Sequence, residues 1–257
     1  MPQRVNLNAD LGEGFGAYEI GNDAAMLEVI GSASIACGFH AGDASVMHRV
    51  VMAAKARGVS IGAHPAFNDL WGFGRRAIEM RADDLEYMVA YQIGALQAIA
   101  RYAGTAVTHV KAHGALSNMA AMRGDYALAI GRAIRAVDDR LIYVAIGGTE
   151  MERAGETLGL RVAREAFVDR LYEDDGNLTP RRIAGAVITD PDVAAARAVR
   201  MVREQVVIAR SGAVLPRRID TLCVHGDEAT GVAVARAARA ALEAADIQLV
   251  TLPEMPG

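Results

Sequence analysis

The sequence predicts an α/β protein in which a parallel sheet is covered by crossover helices, and three observations carry that expectation. Short β-type apolar runs alternate with amphipathic helical patterns along the whole 257-residue chain. No linker rich in Pro, Gly or Ser, no fixed-period repeat and no low-complexity stretch divides it, so residues 1–257 are read as a single domain. Ionisable residues recur directly after the apolar strands, at the edge where parallel sheets place ligand sites. A sheet rolled into a barrel and an open, doubly wound sheet both satisfy this alternation, and length alone is neutral between two ordinary domains and one α/β barrel.

The elements follow in order. Strands are expected at residues 4–9, 34–36, 60–63, 107–111, 141–145, 160–166 and 221–224, with a weaker one at 248–252. Residues 45–57 place Val46, Val50, Val51 and Ala54 at helical spacing after the capping candidate Asp43, and Gly58 supplies the stop. Residues 82–102 carry Leu85, Met88, Val89, Ile93, Leu96 and Ile99 on one stripe, open with Asp83 and Asp84, and close at Gly104. Similar patterns predict helices at 125–137, 192–207 and 228–244. Three stretches, 11–22, 64–80 and 169–182, exceed ordinary connections and are read as functional loops.

Composition narrows the function. With 52% apolar and 23% charged residues, the chain is neither disordered nor a small disulfide scaffold. A net charge of −4 argues against nucleic-acid or anionic-membrane partners. Cys37 and Cys223 lie in separate apolar segments without metal-binding spacing, which suits a reducing interior. No segment is apolar and long enough to span a bilayer, and residues 1–10 lack a leader pattern; a soluble cytoplasmic protein is expected.

Chemistry collects after the strands. Asp10 ends the first; His40 and His64 follow the second and third; Lys111 and His113 close the fourth. Glu165 leads to Asp169 and Arg170, and His225 and Asp227 follow the seventh. One histidine after a strand is ordinarily a packing residue, but burying four in one core would require many polar partners, so a polar pocket is expected. His48, in a helix, and His109, inside a strand, are read as structural. Only Lys55 and Lys111 are lysines; Lys55 complements a helix end, whereas Lys111 lies in an apolar strand and is expected to face a charged ligand. Residues 70–76, Leu-Trp-Gly-Phe-Gly-Arg-Arg, suit a lid over an anion, with Arg75 and Arg76 as its guanidiniums. Gly12-Glu13-Gly14-Phe15-Gly16 does not match the dinucleotide fingerprint, neither lysine sits in a Walker A context, and no G-x-S-x-G elbow occurs. Asp10, His40 and His64 could supply a carboxylate and two imidazoles to a divalent metal.

Asn6-Leu7-Asn8-Ala9-Asp10-Leu11-Gly12-Glu13, Ala36-Cys37-Gly38-Phe39-His40-Ala41-Gly42-Asp43, Gly62-Ala63-His64-Pro65, Gly72-Phe73-Gly74-Arg75-Arg76, Glu165-Ala166-Phe167 with Asp169-Arg170, and Val224-His225-Gly226-Asp227 stand in this order along the chain. Together they resemble the LamB/YcsF family of 5-oxoprolinase A subunits. Where the family pattern reads Lys-Pro-His-Gly-Ala-Leu-Tyr-Asn, this chain has Ala112 in place of the proline and Ser117 in place of the tyrosine. The resemblance implies a seven-stranded β/α barrel of the glycoside hydrolase/deacetylase type. It also implies ATP-dependent hydrolysis of 5-oxo-L-proline to L-glutamate together with two partner subunits.

On that reading Asp10, His40, His64, Lys111, His113, His225 and Asp227 divide the catalytic roles. Glu13, Arg75, Arg76, Glu165, Asp169 and Arg170 bind substrate, and ATP is joined by a divalent metal such as Mg. Two alternatives are a metal-dependent deacetylase or amidohydrolase that needs no ATP, and a non-catalytic substrate-binding module.

Overall fold

The structure is a computed structural model that describes residues 3–226 and 230–256. Seven parallel strands close into a barrel: β1 (Arg4–Leu11), β2 (Ser32–Ala36), β3 (Ser60–His64), β4 (Val107–Lys111), β5 (Ile142–Ile146), β6 (Val162–Phe167) and β9 (Thr221–Val224), with β9 pairing back onto β1. The barrel alternative is therefore the right one. A short strand, β10 (Gln248–Leu249), adds to the start of β1, and a 3₁₀ turn over Leu252–Glu254 replaces the rest of the strand expected at 248–252.

Alternation along the strands sorts the residues, because successive side chains point to opposite faces. On β1, Val5, Leu7, Ala9 and Leu11 join the large apolar layer between barrel and helices, while Asn6, Asn8 and Asp10 meet polar partners from other strands inside the barrel. The interior also holds a small separate apolar cluster, Ile142, Val144, Ala163 and Leu252. Thus much of this barrel's interior is polar, and the apolar driving force lies chiefly outside it.

The outer layer comprises α1 (Asp23–Met26), α2 (Ala44–Ala56), α3 (Ala82–Tyr102), α4 (Gly114–Met122), α5 (Gly124–Val137), α6 (Glu150–Thr157), α7 (Pro191–Glu204) and α8 (Gly231–Ala244). Asp43 caps α2 as expected, accepting from the Ser45 and Val46 amides. Three helices, α1, α4 and α6, escape the sequence reading: α1 is one turn, α4 abuts α5 across Arg123, and α6 is short and polar after its cap Thr149.

The helix expected at 192–207 stops at Glu204. Gln205 takes a left-handed φ of 52°, which ends the helix and frees Val206–Ile208 as β7 to pair antiparallel with β8 (Val214–Pro216). The helix expected from residue 228 is described from Gly231. Among the described residues no helix is long and apolar enough to cross a membrane.

Candidate active site

Parallel closure brings the carboxyl ends of the strands to one mouth. Asp10, His64, Lys111 and Glu165 come from the last residues of β1, β3, β4 and β6; Glu13, His40, His113, Asp169 and His225 come from the segments that follow, and all nine are buried. Asp227 lies outside the described residues.

Lys111 forms the ionic centre. Its Nζ is 2.8 Å from Asp10 Oδ1 and 2.9 Å from Glu165 Oε1, and it donates to Asn8 Oδ1 at 3.0 Å and Cys223 Sγ at 2.9 Å. The lysine expected to face a charged ligand thus points into the barrel, against two carboxylates of the protein itself. Burial alone would favour the neutral amine, but Asp10, Cys223 and Glu165 outweigh it and hold the ammonium well above the ordinary lysine range. Burial likewise pushes the Asp10 carboxyl up, and His64 and Lys111 more than offset it, leaving it well below the carboxylate range. Asn8 orients this centre, giving its amide to Glu165 Oε1 and Thr221 Oγ1.

Beside it stands a histidine cluster. His64 Nε2 is 3.3 Å from Asp10 Oδ2 and 3.0 Å from His113 Nδ1; His40 Nε2 is 3.1 Å from Glu13 Oε1, and His113 Nδ1 is 3.5 Å from the same oxygen. His40 and His113 stack face to face at 3.8 Å, with Phe73 edge-on to both. Burial, followed by neighbouring imidazoles, holds His40 and His113 well below the ordinary histidine range, so both are neutral near pH 7.

The third unit is a dyad. Asp169 accepts from His225 Nδ1 at 2.9 Å and from the His225 backbone amide at 2.9 Å, which fixes the ring tautomer and leaves Nε2 for the cavity that His225 lines. Burial raises the Asp169 carboxyl, but His225 overrides it and keeps the carboxyl below its usual range. Phe167 stacks on the same imidazole, with 5.6 Å between ring centres.

A cavity of about 580 Å³ opens over Asp10, His64, Lys111, His113 and His225, and Arg75, Arg170, Arg181 and Arg182 line its wall. This volume is ordinary for a small-molecule site. Arg170 gives Nη2 to Thr179 O at 2.7 Å; burial, with Arg181 nearby, brings its guanidinium down to about 10. Arg76 lies apart from this wall: Asp69 holds its guanidinium and its backbone amide within the 70–76 loop. That loop is tied down rather than poised to swing, because Phe73 O accepts from His113 Nε2 at 2.8 Å and Gly74 O accepts from the Ala115 amide at 2.9 Å. Its tip carries Trp71, 97% exposed, beside a second cavity of about 350 Å³ that reaches Glu13 and His40.

The metal trio expected from sequence is redistributed. Glu13, His40, His64 and His113 bring four donor atoms within 4.8 Å of one another, so this cluster could bind a metal, whereas Asp10 groups with Cys223 and His225. Three imidazoles and one carboxylate suit a borderline metal and fit Mg²⁺ poorly, since Mg²⁺ prefers an all-oxygen octahedral set. The sequence reading also missed Asn8, Phe73, Phe167 and the site role of Cys223. Asn8 and Cys223 carried an available signal, each being two residues from a candidate on the same strand face. His109 sits one pleat below Lys111, its ring filling the space a side chain at Gly62 would need, and burial lowers it to about 3. Lys55, as expected, serves a helix end, donating to Ala103 O at 2.8 Å.

The family model described as "LamB/YcsF family" matches residues 5–257. The chain belongs to the LamB/YcsF family. It is 54% identical over 241 residues to the A subunit of 5-oxoprolinase from Rhodopseudomonas palustris (strain BisB5), covering 93% of this chain and 95% of that protein. The corresponding 5-oxoprolinase A chain of Heliobacterium modesticaldum is 50% identical over 244 residues, covering 95% and 96%. The crystal structure of the lactam utilization protein from Thermus thermophilus superposes with a TM-score of 0.92 at 44% identity, covering 97% of this chain and all of that one. The catalytic domain of a peptidoglycan N-acetylglucosamine deacetylase from Eubacterium rectale, at 10% identity, 100% and 91% coverage and a TM-score of 0.54, shares the fold alone. The expected barrel type is thereby met, deacetylase-like neighbours included.

Proposed function

We propose that this LamB/YcsF protein is the lactam-opening component of an ATP-dependent 5-oxoprolinase, converting 5-oxo-L-proline to L-glutamate with two partner subunits. The observation that carries the reading is the Asp169–His225 dyad facing the same cavity as the Arg170 wall. Such a cavity can hold a small anionic amide and activate a water beside it. The names of the relatives from R. palustris and T. thermophilus support an amide that is a lactam.

A five-membered lactam closes readily from glutamate, so opening it requires activation. Transfer of the ATP γ-phosphoryl group to the amide oxygen makes the ring carbon electrophilic. His225 Nε2 takes a proton from water as its oxygen bonds to that carbon. The ring C–N bond then breaks with the nitrogen protonated, leaving a γ-glutamyl phosphate whose hydrolysis gives glutamate and phosphate. Asp169 steadies the imidazolium formed in the first step.

Arg75 and Arg170 take the substrate carboxylate and phosphate. Asp10, Lys111 and Glu165 act as a fixed charge set that orients the floor of the site, with Glu13, His40, His64 and His113 as its flank. Any Mg²⁺ travels with the ATP phosphates in this reading. Buried, unpaired Cys37 and Cys223 suit a reducing cytoplasm.

The test mixes the purified chain with partner subunits, ATP and 5-oxoproline and measures glutamate, omitting each component in turn. Glutamate formed only in the complete mixture supports the proposal; glutamate formed by the chain alone, without ATP, overturns it. The second outcome would favour the metal-dependent amidohydrolase reading that the Glu13 and histidine cluster makes reasonable.

A further inference from the structure

We propose that Glu13, His64 and His113 form a site for a borderline divalent metal of the zinc class, with His40 as the residue that positions Glu13. The inference does not depend on which amide is opened or on ATP.

It follows from where the ring protons must sit. His64 Nδ1 lies 2.7 Å from the carbonyl oxygen of Lys111, and His113 Nε2 lies 2.8 Å from the carbonyl oxygen of Phe73. A carbonyl oxygen only accepts, so each of these nitrogens carries a hydrogen. With those hydrogens placed, His64 Nε2 and His113 Nδ1 are the ring nitrogens left to face each other, 3.0 Å apart, and Asp10 Oδ2 stands 3.3 Å from the former. Glu13 Oε1, another acceptor, stands 3.5 Å from His113 Nδ1. Two imidazole nitrogens and two carboxylate oxygens thus crowd one buried place, an arrangement that calls for a positive charge among them, and a metal ion between His64, His113 and Glu13 supplies it. Backbone carbonyls holding the outer N–H of both imidazoles are also what orients metal-ligating histidines.

Distances agree with a metal. Bonds of about 2.0–2.1 Å in tetrahedral geometry separate neighbouring ligand atoms by roughly 3.3 Å. The separations of 3.0 Å between His64 and His113 and 3.5 Å between His113 and Glu13 bracket that edge. His40 takes the supporting part. Its Nδ1 is buried without a hydrogen-bond partner among the described residues, so a proton there would be a buried unpaired donor; the proton belongs on Nε2, which gives it to Glu13 Oε1 at 3.1 Å.

Three protein ligands leave one position open, the pattern of catalytic rather than structural sites. His64 and His113 line the larger cavity and Glu13 lines the smaller one, so the three ligands lie where the two cavities approach each other. The neighbouring group of Asp10, Cys223 and His225 is not a second such site, because the Lys111 ammonium already lies against Asp10 and Cys223 and His225 Nδ1 is engaged by Asp169.

The experiment uses the full chain without an affinity tag, stripped with a chelator and returned to metal-free buffer. Zn²⁺ and Co²⁺ are titrated by calorimetry and by the visible absorption of bound Co²⁺, with excess Mg²⁺ as competitor. Expected are one metal per chain, a Co²⁺ spectrum of low coordination number, no displacement by Mg²⁺, and a raised melting temperature with Zn²⁺. His64→Ala and Glu13→Gln should each lose at least roughly 100-fold in affinity, and His40→Gln roughly 10–100-fold as a positioning residue. Glu13→Gln keeps the side-chain shape, so it tests the site even where a histidine variant fails to fold. Absence of 1:1 binding in the wild-type chain, or wild-type affinity in folded Glu13→Gln, overturns the proposal. So does nitrogen NMR showing, with Zn²⁺ present, a proton still shared between His64 Nε2 and His113 Nδ1.

Discussion

The two ends of the barrel interior are both buried and both polar, yet they are built on opposite principles. At the amino end Asn6, Ser32, Ser60 and Thr221 form a neutral set: Asn6 gives its amide to Ser32 Oγ at 2.8 Å and takes the Thr221 hydroxyl at 2.7 Å, and the Ser32 and Ser60 hydroxyls meet at 2.6 Å. The tail closes this end, with the Leu252 amide reaching Ser32 Oγ. At the carboxyl end the groups are ionised or aimed at one another, and His40 Nδ1 is left without a hydrogen-bond partner among the described residues. A satisfied neutral network fixes a structure at little cost, whereas an electrostatically unfinished one awaits a ligand. The contrast therefore separates scaffold from site inside one lumen.

The largest effect that would test this contrast is on turnover. His225→Asn, whose side-chain amide can still donate to Asp169 but offers no ring Nε2, should lower glutamate release by the reconstituted complex about 10²–10⁴-fold with little change in melting temperature; near-normal turnover would remove the dyad from the chemistry. On stability the charged end should dominate. Lys111→Ala leaves Asp10 and Glu165 buried without their cation, and an unfolding free-energy loss of about 3–5 kcal/mol is expected in urea titrations.

At the neutral end, Ser60→Ala should cost only about 1 kcal/mol and leave turnover intact. Equal costs at the two ends would erase the distinction. The smallest effect is a pH slope. His40 and His113 resist protonation in the folded chain, while unfolded imidazoles take up protons below about 6.5. The unfolded state thus binds more protons, and stability of the metal-free chain should fall as pH drops through that value. A series of thermal melts spanning about one pH unit on either side of it should show that decline, and His113→Ala should flatten it.

How much of this was legible beforehand differs by element. The strands of the barrel read correctly because their apolar outer faces are continuous, and α2, α3 and α5 because stripe and stop signals agree. The end of α7 did not, since apolar spacing runs on past Gln205 and only the left-handed backbone there shows where the helix stops. Within the site, position after a strand identified Asp10, His64, Lys111, His113 and His225 as neighbours. It could not foresee that Lys111 is neutralised by Asp10 and Glu165, that Arg76 is taken by Asp69, or that Glu13 and His113 join His64 while Asp10 faces the lysine.

The order of the barrel strands and of the longer helices, the polar character of one barrel edge and the family follow from the sequence alone, because periodicity and motif order are local properties of a chain. Which donor faces which acceptor across the lumen was decided by closure, which brings residues as far apart as Asn8 and Thr221 to 2.8 Å and sets His64 Nε2 3.0 Å from His113 Nδ1. Hydrogen-bond direction and charge pairing depend on distances of a few ångströms between remote segments, and only the closed barrel sets those.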